Sequence, residues 1–109
     1  MTEMYPETEF SLNIKGMLSL AMKAHKLEVG ESRAQTAVRG DLAYLLVVSA
    51  DASANTKKKF ADMAAYRNVP IVFTGDRDEL GRAVGRNFAV TAAVTDKGFA
   101  DGMLKIIGG

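Results

Sequence analysis

The apolar residues of the chain fall into short continuous runs that alternate with helical stripes. The central run, residues 44–50, lies between Gly40-Asp41 and a polar loop. A run of this length predicts a strand that is covered on both faces. Further runs at residues 71–73 and 89–95, and a brief extended piece at 27–30, predict three more strands.

Five segments around these runs show the 3.6-residue spacing of helices. Residues 9–26 place Phe10, Ile14 and Leu18 on one stripe, which predicts a first helix that packs by one face. Pro6 blocks an earlier start, so residues 1–8 are expected to form a loose lead-in. The other predicted helices are residues 31–39, a helix capped by Ser53 or Asn55 that ends near Arg67, a helix that opens at Thr74-Gly75-Asp76, and residues 97–107. Gly81 and Gly85 weaken the fourth helix and would allow close helix–sheet contact.

The resulting order, αβαβαβαβα, indicates the α/β class. It predicts a three-layer α/β/α sandwich around a mixed four-stranded sheet, with helices on both faces. A length of 109 residues suits one domain with a core of its own. We therefore predict a single domain over residues 1–109, in which residues 1–8 and the frayed tail 108–109 are loose.

Composition excludes several kinds of chemistry. The chain has no cysteine, which rules out thiol catalysis, disulfides and cysteine-ligated zinc and favours a cytoplasmic location. No apolar run reaches 18 residues, and the acidic start lacks the order of a signal peptide, so no membrane association is expected. The net charge is +1, but three of the 13 acidic residues precede residue 10. Residues 10–109 therefore carry 14 bases against 10 acids, a mild bias that permits nucleic-acid binding.

Candidate catalytic residues are few. The one histidine, His25, lies at the end of a predicted helix, a position typical of a helix-dipole partner. Asp51 follows the central strand, where catalytic acids occur, although an Asx-turn or loop cap is the commoner role. Phosphate-loop, dinucleotide and nucleophile-elbow motifs are absent, and no spacing of acids suggests a metal site. We expect a non-catalytic protein without cofactor or metal; an enzyme acting through Asp51 is the remote alternative.

The predicted helix at residues 31–39 has an outward face that suits nucleic acid. At about 100° per residue, Ala34, Ala37 and Val38 turn towards the core. The outward face holds hydroxyl and guanidinium groups, on Ser32, Arg33, Thr36 and Arg39. Because Gly30 precedes the helix, free backbone N–H groups should lie beside them, which favours a phosphate backbone or a sugar edge. A plain solvated face is the alternative.

Two further segments are candidates for contact with an anionic partner. Residues 85–89 combine Arg86, Asn87 and Phe88 in a predicted turn, and a base beside an aromatic ring is a common way to hold unpaired RNA. Phe88 could instead fold back into the core. The run 57–59 is three lysines at the start of a helix, either a solvated face or a contact for an anion.

Four ordered segments carry a family resemblance: residues 51–59, 66–70, 80–86 and 95–100. They are similar to segments of the kink-turn RNA-binding ribosomal proteins (the L-seven-Ae and L-thirty-e group), and particularly of their bacterial YlxQ-like branch. The resemblance covers roughly residues 10–106. It implies an α/β/α fold that binds structured RNA.

The resemblance also implies a site. In that family the RNA surface is formed by the start of the second helix and by the loop before the final strand. Here those segments supply ten residues: Gly30, Glu31, Ser32, Arg33, Thr36, Arg39, Arg86, Asn87, Phe88 and Ala89. Asp51 and Lys57 are possible flanks.

The family motif Gly-x-Asn-Glu-x-x-Lys is altered in this chain. Gly30 is kept, but the Asn, Glu and Lys positions hold Ser32, Arg33 and Thr36. Ser32 can replace part of the hydrogen bonding, whereas Arg33 only donates and cannot accept a bond from a guanine N–H. We therefore predict a monomeric, ribosome-associated protein that recognises structured RNA, kink-turn-like or ribosomal, with shifted preferences. The alternative is a protein-interaction adaptor of the ribosome or RNA-processing machinery that has lost ordinary kink-turn recognition.

Overall fold

The computed structural model describes residues 6–108; residues 1–5, the first part of the predicted lead-in, and Gly109 lie outside the described part. Strands and helices alternate through residues 6–108, which confirms the predicted α/β class. The elements are β1 Glu7–Thr8, α1 Leu12–Lys23, β2 Leu27–Val29, α2 Glu31–Arg39, β3 Leu45–Val48, α3 Ala54–Arg67, β4 Ile71–Thr74, α4 Arg77–Ala83, β5 Thr91–Val94 and α5 Lys97–Gly108.

The described sheet is mixed but has five strands, in the order β1-β4-β3-β5-β2, so the predicted count of four was wrong. The additional strand is β1, whose two residues we expected to be loose. Glu7 lies opposite Phe73 and Thr8 opposite Thr74, in parallel pairing with β4. Pairing of this kind uses backbone groups alone, and an edge position tolerates the preceding Pro6. A two-residue polar strand leaves no apolar pattern in the sequence.

The central strand β3 is buried on both faces, as its unbroken apolar run predicted. Leu45 and Val47 pack into a cluster with α1, α4 and α5, which contribute Ile14, Leu80 and Met103. The alternate residues of β3 pack on the opposite face, against α2 and α3. Since successive side chains of a strand point to opposite faces, one strand joins the two halves of the core.

The helix bounds follow from local capping. Helix α1 begins at Leu12, later than predicted, because the Ser11 hydroxyl accepts a hydrogen bond from the N–H of Ile14. Ser53, not Asn55, caps α3, since its hydroxyl accepts from the N–H of Thr56 at 3.1 Å. Asp76 and Glu79 form a capping box that opens α4. The last helix α5 extends to Gly108, which we expected to be frayed.

The carboxyl ends of several strands meet at one edge of the sheet, which we call the upper edge. Strands β3 and β4 are parallel, and β5 runs antiparallel to both β3 and β2. The strands β2, β3 and β4 therefore end at the same edge where β5 begins. The helix α2 leaves this edge after Gly30, and the loop 84–90 enters it before Thr91. The topology thus brings the two predicted binding segments together.

Candidate nucleic-acid interface

The start of α2 and the loop before β5 lie side by side at the upper edge. The N–H of Gly30 donates a hydrogen bond to the carbonyl oxygen of Thr91 at 2.8 Å. Between the two segments lies a depression of about 410 Å³, which we call the loop pocket. It is lined by Val29, Gly30, Glu31, Arg86, Asn87, Phe88, Ala89, Val90 and Thr91. Six of the ten predicted contact residues therefore line one depression, although they come from two segments more than 50 positions apart in sequence.

Gly30 shapes the start of α2. Its φ is 107°, a backbone conformation that a side chain would strain, and it supplies no side-chain cap. The first backbone hydrogen bond of the helix runs from the N–H of Ala34 to the carbonyl of Gly30. The N–H groups of the first turn therefore lack a capping side chain, and they carry the partial positive charge of a helix N-terminus. This end of α2 borders the loop pocket.

The loop 84–90 presents its aromatic side chain to solvent. Phe88 is 62% exposed, so it does not fold back into the core, and Arg86 and Asn87 are exposed as well. Ala89 is different, because its methyl group is buried and only borders the loop pocket. Its N–H donates to the carbonyl of Arg77 at 2.9 Å, which ties the loop to the start of α4. Ala89 thus fixes the loop and offers little side-chain surface to a ligand.

Gly81 determines how closely the loop approaches α4. A Cβ atom at Gly81 would lie 2.6 Å from the Cα of Phe88 and 2.9 Å from the carbonyl oxygen of Arg86. The predicted close contact is therefore with the loop and not with the sheet, which corrects the interpretation of the Gly81–Gly85 pair. Gly85 has open space around it and a φ of 75°, so its role is to let the chain turn after the helix.

The outward side chains of α2 border a second depression, of about 460 Å³, which we call the edge pocket because it lies beside β2. It is lined by Glu28, Ser32, Arg33, Thr36, Ala37, Leu42 and Thr95. The predicted division of α2 holds here, since Ala34, Ala37 and Val38 are buried while the outward residues are exposed. Arg39 is exposed on the last turn and borders neither pocket.

Ion pairs hold two charged residues of α2. The guanidinium of Arg33 lies 3.4 Å from the Glu28 carboxylate, and both side chains are well exposed, so the pair contributes little stability. Glu31 turns towards α3, where its carboxylate accepts from the Thr56 hydroxyl at 3.4 Å and pairs with Lys59 at 3.6 Å. Glu31 therefore links α2 to α3 at the rim of the loop pocket.

The lysine run at the start of α3 is partly neutralised. Lys59 pairs with Glu31, and Lys58 pairs with Asp62 one turn later at 2.7 Å. Lys57, the predicted flank, is half-buried and borders neither pocket. The solvated-face interpretation accounts for Lys58, whereas Lys59 serves to hold Glu31.

Asp51 connects two loops at the upper edge. Its carboxylate accepts from the backbone N–H and from the Nε of Arg77, both at 3.4 Å. Partial burial alone would raise the pKa of Asp51, but the Ser49 hydroxyl and the Arg77 amide and guanidinium outweigh it and lower the pKa below 3.8. An acid that is ionised at neutral pH and bonded to an arginine acts as a structural link.

Two other candidate chemistries find no support in residues 6–108. His25 is exposed, with a φ of 60°, just after α1. No group of three or more His, Asp or Glu side chains in that range is arranged to hold a metal ion. The described helices include none that is long and apolar enough to cross a membrane.

Sequence reasoning missed several contributors to these pockets, among them Thr91, Leu42 and Glu28. Thr91 is buried at the loop pocket, and its hydroxyl has no hydrogen-bond partner within residues 6–108. Leu42 is 60% exposed beside the edge pocket, where Glu28 also lies. Thr91 and Glu28 belong to strands and Leu42 to a turn, and none of them carries a motif, so only the folded chain shows their position.

Comparison with known proteins identifies the class of protein. Residues 13–103 match the Ribosomal protein L7Ae/L30e/S12e/Gadd45 family. The RNA-binding protein YlxQ of Bacillus subtilis (strain 168) is 37% identical over 91 residues, which are 84% of this chain and 91% of that protein. RNA-binding protein YlxQ of Enterococcus faecium is 36% identical over 93 residues, covering 85% and 89%. A solved structure of a protein with unknown function from Bacillus halodurans C has a TM-score of 0.87 at 32% identity, covering 91% of this chain and all of that one.

The chain therefore belongs to the L7Ae/L30e/S12e/Gadd45 family of ribosomal proteins. Within that family it is similar to the bacterial YlxQ proteins over most of their length. The predicted family and its YlxQ-like branch are confirmed, as is the α/β fold with helices on both faces of a mixed sheet.

Proposed function

We propose that this protein is a non-catalytic, ribosome-related protein that binds structured RNA. Membership of a ribosomal protein family supports this role, and two relatives of more than 35% identity carry the name RNA-binding protein. The proposed interface consists of the first turns of α2 and the loop 85–89. We further propose that the chain acts as a single domain and as a monomer.

The observation that carries the proposal is the pairing of two complementary features across the loop pocket. On one side is the uncapped start of α2, whose N–H groups suit a phosphate oxygen. On the other side the exposed ring of Phe88 stands next to the guanidinium-bearing Arg86. An unpaired base can stack on the ring while its phosphate contacts Arg86 or the helix start. Asn87 adds amide groups that can bond to a base edge.

The edge pocket supports recognition of a different part of the same RNA. Ser32 and Thr36 offer hydroxyls that both donate and accept, which suits a ribose 2′-OH. Arg33 presents donors only, so it favours phosphate oxygens or the O6 and N7 acceptors of guanine. This donor character, where the related family has glutamate, is why we propose RNA preferences that differ from standard kink-turn recognition.

Peripheral residues would add contacts without setting specificity. Arg39 is exposed at the end of α2 and can reach a phosphate beyond the edge pocket. Lys57 flanks the site from α3. Asp51 acts through Arg77, because their hydrogen bonds join the loop after β3 to the start of α4.

The proposal is tested by calorimetric titration at low salt with three RNAs: a standard kink-turn, a kink-turn whose sheared G·A pairs are replaced by Watson–Crick pairs, and a plain duplex. We expect structured RNA to bind more tightly than the duplex. Absence of binding to all three at low salt would contradict the proposal. Equal affinity for the first two would retain RNA binding and exclude kink-turn specificity.

The substitutions in α2 also favour a second role, that of a protein-interaction adaptor. Ser32, Arg33 and Thr36 border the same pocket as the exposed side chain of Leu42, so this surface combines an apolar contact with polar groups. Affinity capture from cell extract with and without nuclease separates the two roles. Partners retained after nuclease treatment and lost with Leu42→Ser indicate the adaptor; partners lost with nuclease indicate RNA.

A further inference from the structure

A groove between α1 and α4 carries basic side chains that have no role in the interface above. The hydroxyl of Ser19 donates to the carbonyl of Ala83 at 2.8 Å and holds the two helices together. On one side of this contact, Lys15 and Arg82 border a depression of about 160 Å³. On the other side, Lys23 and Arg82 border a depression of about 330 Å³. We call this surface, defined by Lys15, Lys23 and Arg82, the basic groove.

The three bases lie on the two sides of the groove, two on α1 and one on α4. Lys15, Ser19 and Lys23 are four residues apart, so they share one face of α1 and span about 12 Å along its axis. Arg82 faces them from α4 and borders both depressions. The spacing favours an extended ligand with several negative charges over a single small anion.

The positive charge of the groove is not neutralised within residues 6–108. None of the three bases has an acidic partner within 4 Å there, whereas Arg33, Lys58, Lys59, Arg67, Arg77 and Lys97 all do. Glu79 also borders the groove, but its carboxylate accepts from the N–H of Asp76 in the capping box. Asp78, one turn before Arg82, is exposed and forms no ion pair with it. Positive charge thus remains in excess along the groove.

The groove and the loop pocket are lined by consecutive residues of the chain. Gly85 borders the groove, and Arg86, the next residue, borders the loop pocket. An extended ligand held at the loop pocket beside Arg86 can therefore pass Gly85 towards Arg82. RNA is the partner that meets both requirements, because it carries a negative charge at every nucleotide and extends beyond the segment that is specifically recognised.

We propose that the basic groove binds the phosphate backbone of a helical stem that flanks the RNA segment recognised at α2 and the loop 85–89. This inference rests on the proposed RNA-binding function. It adds a second, sequence-independent binding surface on the other side of the loop 84–90. Arg82 occupies the centre of that surface and Lys15 one end.

The test compares a short RNA that contains only the recognised motif with the same RNA lengthened by about ten base pairs in one stem. The variant Lys15→Gln/Arg82→Gln removes two charges from the groove. Its control, Lys97→Gln/Lys105→Gln, removes the same number of charges from exposed positions of α5, where Lys97 pairs with Asp101 at 2.7 Å. Thermal unfolding of each variant establishes that the fold is retained.

We expect the wild-type protein and the control to bind the long RNA about tenfold more tightly than the short one, and the groove variant to lose this advantage. The salt dependence of long-RNA binding should also become shallower, by about 0.7–0.9 in log K against log salt for each phosphate that the variant no longer neutralises. Binding of the short RNA should not change. The inference is overturned if the wild-type protein binds the long RNA no more tightly than the short one. It is also overturned if the groove variant still binds the long RNA more tightly, or if its affinities for the short and the long RNA fall by the same factor. The inference would also be overturned if polyaspartate displaced the long RNA from the protein as effectively as free duplex RNA does.

A substitution in α2 separates this inference from the proposed function. Arg33→Glu should lower the affinities for the short and the long RNA by the same factor, because Arg33 contacts the motif that both RNAs contain. Suppose that Arg33→Glu and Phe88→Ala leave the affinities for both RNAs unchanged, while the groove variant binds the long RNA more weakly. The groove proposal is then supported and the proposed interface is contradicted. If the motif variants act and the groove variant does not, only the groove proposal fails.

Discussion

Gly81 and Phe88 are packed so closely that a methyl group on Gly81 would lie 2.6 Å from the Cα atom of Phe88. Non-bonded carbon atoms attract best at about 3.5–4.0 Å, so this approach is possible only for glycine. It is reinforced by a hydrogen bond of 2.8 Å from the N–H of Arg86 to the carbonyl of Gly81. The loop 84–90 is thereby fixed against α4, and the ring of Phe88 is directed to solvent beside the start of α2.

Gly81→Ala should damage both stability and binding, because either α4 or the loop must move. We expect the free energy of unfolding, measured by urea denaturation, to fall by about 1–3 kcal/mol. RNA affinity should fall as well, since Arg86 and Phe88 would be displaced. Gly16→Ala is the control: Gly16 lies in α1 with open space around its Cα, so alanine there should stabilise by about 0.5–1 kcal/mol without affecting RNA. A Gly81→Ala variant as stable as the wild type would show that the loop is not held as described.

Phe88→Ala should reduce RNA affinity while leaving stability almost unchanged. The ring is 62% exposed, so its removal costs little packing, but stacking on a base contributes about 1–3 kcal/mol per base. Tyr66→Ala is a matched control, since Tyr66 is 83% exposed on α3 and borders neither pocket. Both variants should unfold as the wild type does. Equal RNA affinities of the two variants would exclude Phe88 from the interface.

Ser53→Ala should destabilise the protein by about 1 kcal/mol, and Asn55→Ala should not. The Ser53 hydroxyl accepts from the N–H of Thr56 at 3.1 Å, and loss of an N-cap of this kind leaves a helix donor unsatisfied. Asn55 is exposed and lies inside the helix. Urea denaturation of the two variants measures the difference. A larger effect at Asn55 would place the start of α3 two residues later than observed.

The lowered pKa of Asp51 predicts a specific pH dependence of the free energy of unfolding. Its pKa is lowered in the folded protein, so its ionised form stabilises the fold at pH values above the unfolded value of about 3.9. That contribution should be lost as the pH falls through the lower folded pKa. Between pH 6 and pH 3 the free energy of unfolding of the wild type should therefore decrease more than that of Asp51→Asn. Identical pH profiles would mean that the bonds to Arg77 do not persist in solution.

The chain's pattern predicted those features that depend on periodicity. The apolar run at β3 indicated the buried centre of the sheet, and the spacing of Ala34, Ala37 and Val38 identified the buried face of α2. Amphipathic spacing is a property of the local sequence, and in the folded chain the face that it marks as apolar is the buried one. The exposure of the outward residues of α2 followed from the same spacing.

Features set by tertiary contacts could not be predicted in this way. The strand β1 is polar and pairs through its backbone, so Glu7 and Thr8 carried no signal. Gly81 was expected to contact the sheet, but the loop covers it instead. The ion pairs of Arg33 with Glu28 and of Glu31 with Lys59 join separate elements, and only the fold brings those residues within reach.

The pair formed by Arg33 and Glu28 provides a test of whether Arg33 is available to RNA. If the guanidinium contacts RNA, Arg33→Glu should weaken binding by about tenfold or more, since it removes a donor and places a negative charge at the interface. Glu28→Gln should have the opposite effect, because it removes a competing carboxylate 3.4 Å from the guanidinium and a repulsive charge near the phosphates. The pair is well exposed, so neither change should alter the free energy of unfolding by more than about 1 kcal/mol. Titration of both variants with the same RNA measures the two shifts. Weaker binding by both variants would contradict competition between Glu28 and RNA; opposite signs support competition of the salt bridge with RNA for one guanidinium.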